Sequence, residues 1–177
     1  MNPMNNLIRH ITSLIFISFF LSAYPISYSF RGLSETNGLS DLTVSALYKD
    51  SVGYLWIGTD GGLQRFNGTK FESFGDGQGG SGLYHSFIRT LYLDTYENLW
   101  IVAKGGISLF SYKDSKIRKL FEINGRDLIE YNKKLYLASG AGVYEIDPIK
   151  FTLEKINIPK INEELINSIG VYEGKIL

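Results

Sequence analysis

The sequence predicts an all-β fold: a β-propeller of four-stranded antiparallel blades, its ring incomplete at about three blades plus a partial fourth, preceded by a signal peptide. Three observations carry this expectation. Gly (19), Tyr (12) and Phe (11) far outnumber Pro (4), a balance that suits short aromatic strands joined by glycine turns. A segment beginning at Gly38-Leu39 returns 44 residues later at Gly82-Leu83, with Asp50 matched by Asp94 and Leu55-Trp56-Ile57 by Leu99-Trp100-Ile101. Each copy divides into four short apolar runs separated by turn residues. Four antiparallel strands in about 40 residues, repeated, form the pattern of a propeller blade.

Residues 1–29 read as an address segment. Arg9 and His10 form a short basic start, and Ile11 to Phe30 contain no charged side chain. The apolar core Leu14 to Leu21 is too short to span a bilayer before Ser22, Pro25, Ser27 and Ser29 interrupt it. Cleavage is expected near Ala23 or Ser29, with an uncleaved N-terminal anchor as the alternative. Both readings export residues 30–177.

The blades are expected at 38–74, 82–121, 127–158 and, in part, 166–177. In the first, Val44 to Lys49, Tyr54 to Thr59, Leu63 to Phe66 and Lys70 to Phe74 read as strands. Asp50-Ser51-Val52-Gly53, Asp60-Gly61-Gly62 and Asn67-Gly68 read as the turns between them. The second copy has Glu97-Asn98 in place of Gly53-Tyr54, and Asn98 is the expected left-handed turn residue. The third, offset by 36 residues, places Tyr136 at the tryptophan position and Asn132-Lys133-Lys134 at the first turn, without the aspartate. Ile169 to Leu177 echoes the first two strands of the third copy, and the chain ends within the second. Three blades and a stub cannot close a ring, so the chain reads as the N-terminal fragment of a longer protein; a self-assembling partial propeller is the alternative.

Within this pattern Trp56, Trp100 and Tyr136 are packing wedges, because each sits mid-strand in an apolar triplet. Asp50 and Asp94 occupy the same place in their copies, where an aspartate caps a tight turn. Gly62, Gly106 and Gly142 start the third strands.

Composition narrows the chemistry. Lys plus Arg and Asp plus Glu both total 18, leaving no basic surplus for a nucleic-acid backbone. There is no cysteine and only two histidines, so thiolate or multi-histidine metal sites and cysteine nucleophiles are excluded. No metal or other cofactor is expected, and no catalytic residue is assigned. The Gly-rich stretch 75–82 lacks the Gly-Lys-Ser/Thr ending of a phosphate loop and reads as a connector.

Asn37-Gly38-Leu39-Ser40, Asp50 to Leu63, Arg65-Phe66 and Asn67-Gly68 resemble the two-component regulator propeller repeat. The resemblance is close over 37–74, good over 82–120 and loose beyond. It implies a periplasmic sensor region of a bacterial hybrid two-component system, anchored at the inner membrane. Further blades, an immunoglobulin-like domain, a membrane helix and the histidine-kinase, receiver and DNA-binding domains would all lie outside this chain. It further implies that such propellers sense oligosaccharides released from polysaccharides, and that this segment is itself not an enzyme. The alternatives are a piece of a secreted propeller lyase or hydrolase, or an interaction scaffold. For ligand binding, the face bearing the connections between blades and the turns between second and third strands is expected to matter. Tyr84, His85, Asp60 and Lys104 are its candidate residues.

Overall fold

The structure is a computed structural model that describes residues 4, 28–30, 32–74, 82–158 and 166–177. Met1–Gly32 form a unit separate from Leu33–Leu177, and the expected signal segment lies almost wholly outside the described residues. So does most of the Gly-rich connector.

Leu33–Leu177 is built of β-strands. The first blade holds β1 (Val44–Lys49), β2 (Leu55–Thr59), β3 (Gly62–Phe66) and β4 (Phe71–Phe74). The second holds β5 (Ile88–Leu93), β6 (Leu99–Ala103), β7 (Gly106–Ser111) and β8 (Lys116–Phe121). The third holds β9 (Gly125–Tyr131), β10 (Lys134–Ser139), β11 (Gly142–Asp147) and β12 (Thr152–Lys155), and β13 (Val171–Tyr172) with β14 (Lys175–Ile176) begins a fourth. Among the described residues this makes three four-stranded sheets in simple up-and-down order and one two-stranded sheet, the incomplete propeller that the repeats predict. Each blade's first strand is its inner one, and β1, β5 and β9 stand side by side.

The core consists of layers between blades. Trp56 of the first blade packs with Ile88, Leu91, Leu99 and Phe110 of the second. Trp100 of the second packs with Leu128, Leu135 and Leu137 of the third. Ala138 and Val143 meet Ile169, with Tyr136 at the layer's edge. A blade is apolar on both faces for this reason: β6 is buried along its whole length. The spacing between blades leaves little slack, since a Cβ at Gly58 would come within 2.6 Å of the Ile88 side chain.

Each tryptophan is tied to its turn by an aspartate. Asp50 Oδ1 accepts the amides of Gly53 and Tyr54 at 2.9 Å, and its Oδ2 accepts Trp56 Nε1 at 2.9 Å. Asp94 does the same for Tyr96, Asn98 and Trp100, the indole bond being 2.7 Å. Both carboxylates are buried. One side chain thereby closes a turn and fixes the wedge, in two copies.

The expected left-handed residue at Asn98 needs correction. Glu97 adopts it, with φ 62°, in the place Gly53 holds in the first copy. Asn98 instead donates its side-chain amide to Asp94 Oδ2 at 2.9 Å and is not left-handed. In the third blade the aspartate loop is replaced by a two-residue hairpin. Asn132 and Lys133, at φ 51° and 62°, join the paired Tyr131 and Lys134, the geometry of a type I′ turn. There Tyr136 donates to Glu145 at 3.2 Å, and Lys134 also pairs with that carboxylate.

Candidate functional site

The ends of β1, β5 and β9 where each inner strand begins define one face, at whose centre the inner strands converge. The turns between second and third strands lie on it as well. The Asp60 amide reaches Thr43 O at 3.3 Å, and the Lys104 amide reaches Phe87 O at 2.9 Å. Residues 82–87, which lead into the second blade, pass on this face from beside β8 to the start of β5. A Cβ at Gly82 would strike the Ile117 carbonyl of β8, and one at Gly106 would strike the Tyr84 ring.

The four residues selected from the sequence take different places here. Tyr84 lies flat over Gly106 with the Lys119 ammonium 5.0 Å from its ring centre. It belongs to the middle of the second blade, where burial and then Glu122 raise its phenol pKa. His85 is exposed, and its Nδ1 accepts the Phe87 amide at 3.0 Å, leaving Nε2 on the surface. Lys104 is exposed at its hairpin tip. Asp60, the equivalent position one blade earlier, is half-buried, and its Oδ1 is buried without a hydrogen-bond partner. Among the described residues none of the four bonds to another. They share a face rather than a constellation.

The centre of that face is occupied by residues the sequence reading did not select. Each inner strand carries an irregularity one residue past its start, at Ser45 between Val44 and Ala46, at Arg89 between Ile88 and Thr90, and at Arg126 between Gly125 and Asp127. A bulge turns its extra side chain out of the strand's alternation. Here all three are sent sideways to the next blade. Ser45 Oγ donates to the carbonyl of Ile88. Arg89 Nη1 donates to Gly125 O at 2.6 Å and to Asn124 Oδ1 at 2.8 Å. Arg126 Nη1 donates to Asn167 Oδ1 at 2.7 Å. The same position thus staples first blade to second, second to third and third to fourth.

Arg126 falls just outside the expected third blade, which begins at residue 127. Arg89 itself reads from sequence as an ordinary polar residue on an alternating strand. Burial, and then the neighbouring Arg126 guanidinium, lower the Arg89 pKa below its usual value. Arg126 Nε is buried and has no hydrogen-bond partner, a condition that costs about 1–3 kcal/mol for a polar group. Among the described residues neither guanidinium is in an ion pair. Asp127 is engaged elsewhere: its Oδ2 accepts Ser168 Oγ at 2.8 Å and the Ile169 amide at 3.1 Å. The face offers hydrogen-bond donors and positive charge at its centre, with exposed polar side chains around them.

Residues 38–61, the approach to and first half of the first blade, match the family model described as two component regulator propeller. The histidine kinase P4 of Formosa agariphila is 32% identical over 59 residues, which make up 33% of this chain and 4% of that protein. Among solved structures, the extracellular domain of a hybrid two-component system from B. thetaiotaomicron superposes with a TM-score of 0.73 at 19% identity, covering 85% of this chain and 24% of that one. Virginiamycin B lyase from Staphylococcus aureus superposes with a TM-score of 0.56 at 12% identity, covering 72% of this chain and 45% of the lyase. At these identities the structural likeness is one of fold. The chain spans a small part of the histidine kinase and about a quarter of the extracellular domain.

Proposed function

Starting from a chain that carries the two-component regulator propeller repeat, we propose that it is a segment of the extracytoplasmic, ligand-sensing propeller of a two-component sensor. Its ligands are oligosaccharides derived from polysaccharides, taken up on the face where the inner strands begin. The segment works by binding and not by catalysis. The observation that supports this most directly is the family match lying on a blade of the same fold as extracellular sensor domains.

A propeller suits this task because its blades fix a rigid ring of loops, while ligand contacts are made by side chains that do not hold the fold. Signalling then requires that the ligand bind one arrangement of the sensor better than another, since a ligand without differential affinity shifts nothing. The remaining blades, the membrane helix and the kinase would be the partners that read out this difference.

Calorimetry of the exported protein against a panel of oligosaccharides tests the reading. Binding by at least one member, weakened about tenfold when His85 or Lys104 is replaced by Ala, is the expected outcome, as for loss of one hydrogen bond involving a charged group. Absence of heat with every member would overturn the sugar assignment. A full reading frame without a membrane helix and kinase core would overturn the sensor assignment and favour the secreted-enzyme or scaffold alternatives.

A further inference from the structure

We infer that the centre of this face is an oxyanion subsite, formed by Arg89 and Arg126, that takes the carboxylate or sulfate group of an acidic saccharide. The inference deepens the sensor reading and rests on it for the saccharide part. Three observations lead there.

The first is which edge of each guanidinium the protein uses. A guanidinium has five N–H donors in a planar fork. Arg89 commits only Nη1, to Gly125 O and Asn124 Oδ1, and Arg126 commits only Nη1, to Asn167 Oδ1. In both, the edge formed by Nε and Nη2 has no acceptor among the described residues. That edge presents two parallel donors, the geometry that chelates a carboxylate or sulfate. The staple and the free edge are therefore compatible roles of one side chain.

The second is the buried Arg126 Nε, a donor without an acceptor. Structural arginines are ordinarily satisfied when buried, so this atom calls for an oxygen that no described residue supplies. The third is charge. Two guanidinium groups occupy the same position in adjacent blades without an ion-pairing carboxylate among the described residues. The Arg126 charge disfavours that of Arg89, and an anion bound beside both relieves that repulsion. Among the described residues, the unpaired buried carboxylate oxygen on this face, Asp60 Oδ1, belongs to the first blade. It sets a limit on ligand placement there, because an anion is repelled by it.

The staple also fixes the site. Through Nη1 each arginine is held against the main chain or an asparagine of the following blade, which removes the rotamer freedom that a long side chain would otherwise lose on binding. A pre-positioned pair of forks discriminates by charge and shape, and a neutral sugar hydroxyl satisfies neither as well.

The test uses the full chain with three oligosaccharides of equal length, one neutral, one carboxylated and one sulfated, and follows the arginine Nε–Hε resonances by NMR. Inorganic sulfate is titrated separately. The expected result is that sulfate and at least one acidic oligosaccharide shift the Arg89 and Arg126 resonances saturably. The neutral member should bind at least about tenfold more weakly, one lost charge-assisted contact. R89Q/R126Q should bring acidic and neutral members to the same affinity, and R89K/R126K, which keeps the charge but not the fork, should fall between. Because the Gln variant loosens two staples, the resonances of the unmodified chain carry the result even if that variant unfolds. Acidic and neutral members binding equally, with no change in R89K/R126K, would overturn the subsite and leave the sensor reading standing. Sulfate shifting both resonances while no oligosaccharide binds would support the anion site and overturn the saccharide. Resonances unmoved by sulfate and by every acidic member would overturn the site itself.

Discussion

A single buried carboxylate in each of the first two blades serves both a turn and a packing wedge. Asp94 accepts two main-chain amides, the Asn98 side chain and the Trp100 indole. Replacing it with Asn puts an amide donor against donors, and about 1–3 kcal/mol of stability should be lost. Asp94→Ala should cost more, since every donor is then orphaned. Denaturant midpoints followed by tryptophan fluorescence give both numbers, and a loss below about 0.5 kcal/mol for Asp94→Asn would contradict this role. Tyr112 adds a pH signature. Its hydroxyl donates to Asp50 Oδ2 at 3.3 Å, and its pKa is raised well above 10.0, first by burial and then by the Asp50 charge. The protonated phenol is favoured in the folded state, so its contribution is complete below the unfolded-state pKa near 10 and is lost as pH climbs from there toward the folded-state value. Alkaline unfolding curves should show a shallower decline of stability above pH of about 10 in Tyr112→Phe than in the parent chain. Equal slopes would remove Tyr112 as the source.

At the scale of the element, hairpin chemistry explains what could be read in advance and what could not. The strands were legible because turn residues and apolar triplets are local: Asn67-Gly68 and Leu99-Trp100-Ile101 announce themselves within a few positions. Asn67 closes its own turn by accepting the amides of Thr69 and Lys70 at 3.0 and 2.8 Å. Propensity alone points to Asn98 as the left-handed residue of the second blade, whereas the carboxylate of Asp94 claims that side chain and passes the conformation to Glu97. The bulges were illegible because a bulge is defined by the partner strand, and nothing in Ile88-Arg89-Thr90-Leu91 states its register with Ala103 and Val102. A direct prediction follows for the turn at Asn132-Lys133. Lys133 has φ 62°, an arrangement that costs an L-residue with a side chain about 1–2 kcal/mol and that glycine adopts readily. Lys133→Gly should therefore stabilise the chain by about 0.5–1 kcal/mol, read as a rise in the thermal midpoint. A fall would mean that the Lys133 side chain contributes more than its backbone strain.

For the whole molecule, the repeated layer of one blade's aromatic wedge against the next blade's inner leucine has an unmatched side. Leu91 and Leu128 are 9% and 2% exposed beneath Trp56 and Trp100, while Leu47, in the same place on β1, is 60% exposed. Leu42 and Val44 beside it are exposed as well, as is Tyr172 on the partial blade. Exposed apolar surface of this kind drives association. On its own the chain should form soluble oligomers or aggregates whose mass rises with concentration in light scattering, and Leu47→Lys should shift that mass toward the monomer. A monodisperse monomer at all concentrations would contradict the prediction.

The staples at Ser45, Arg89 and Arg126 imply a direction for mechanical strain. Sideways links tie the blades to one another at the axis on this face, whereas the layers farther out are mostly apolar, and the first seam there holds the single contact of Tyr112 with Asp50. A tug on one blade should open its seam from the periphery inward, like a fan pivoting on its rivet. Rotation about the centre is then the soft motion of the assembly, and separation along the axis the stiff one.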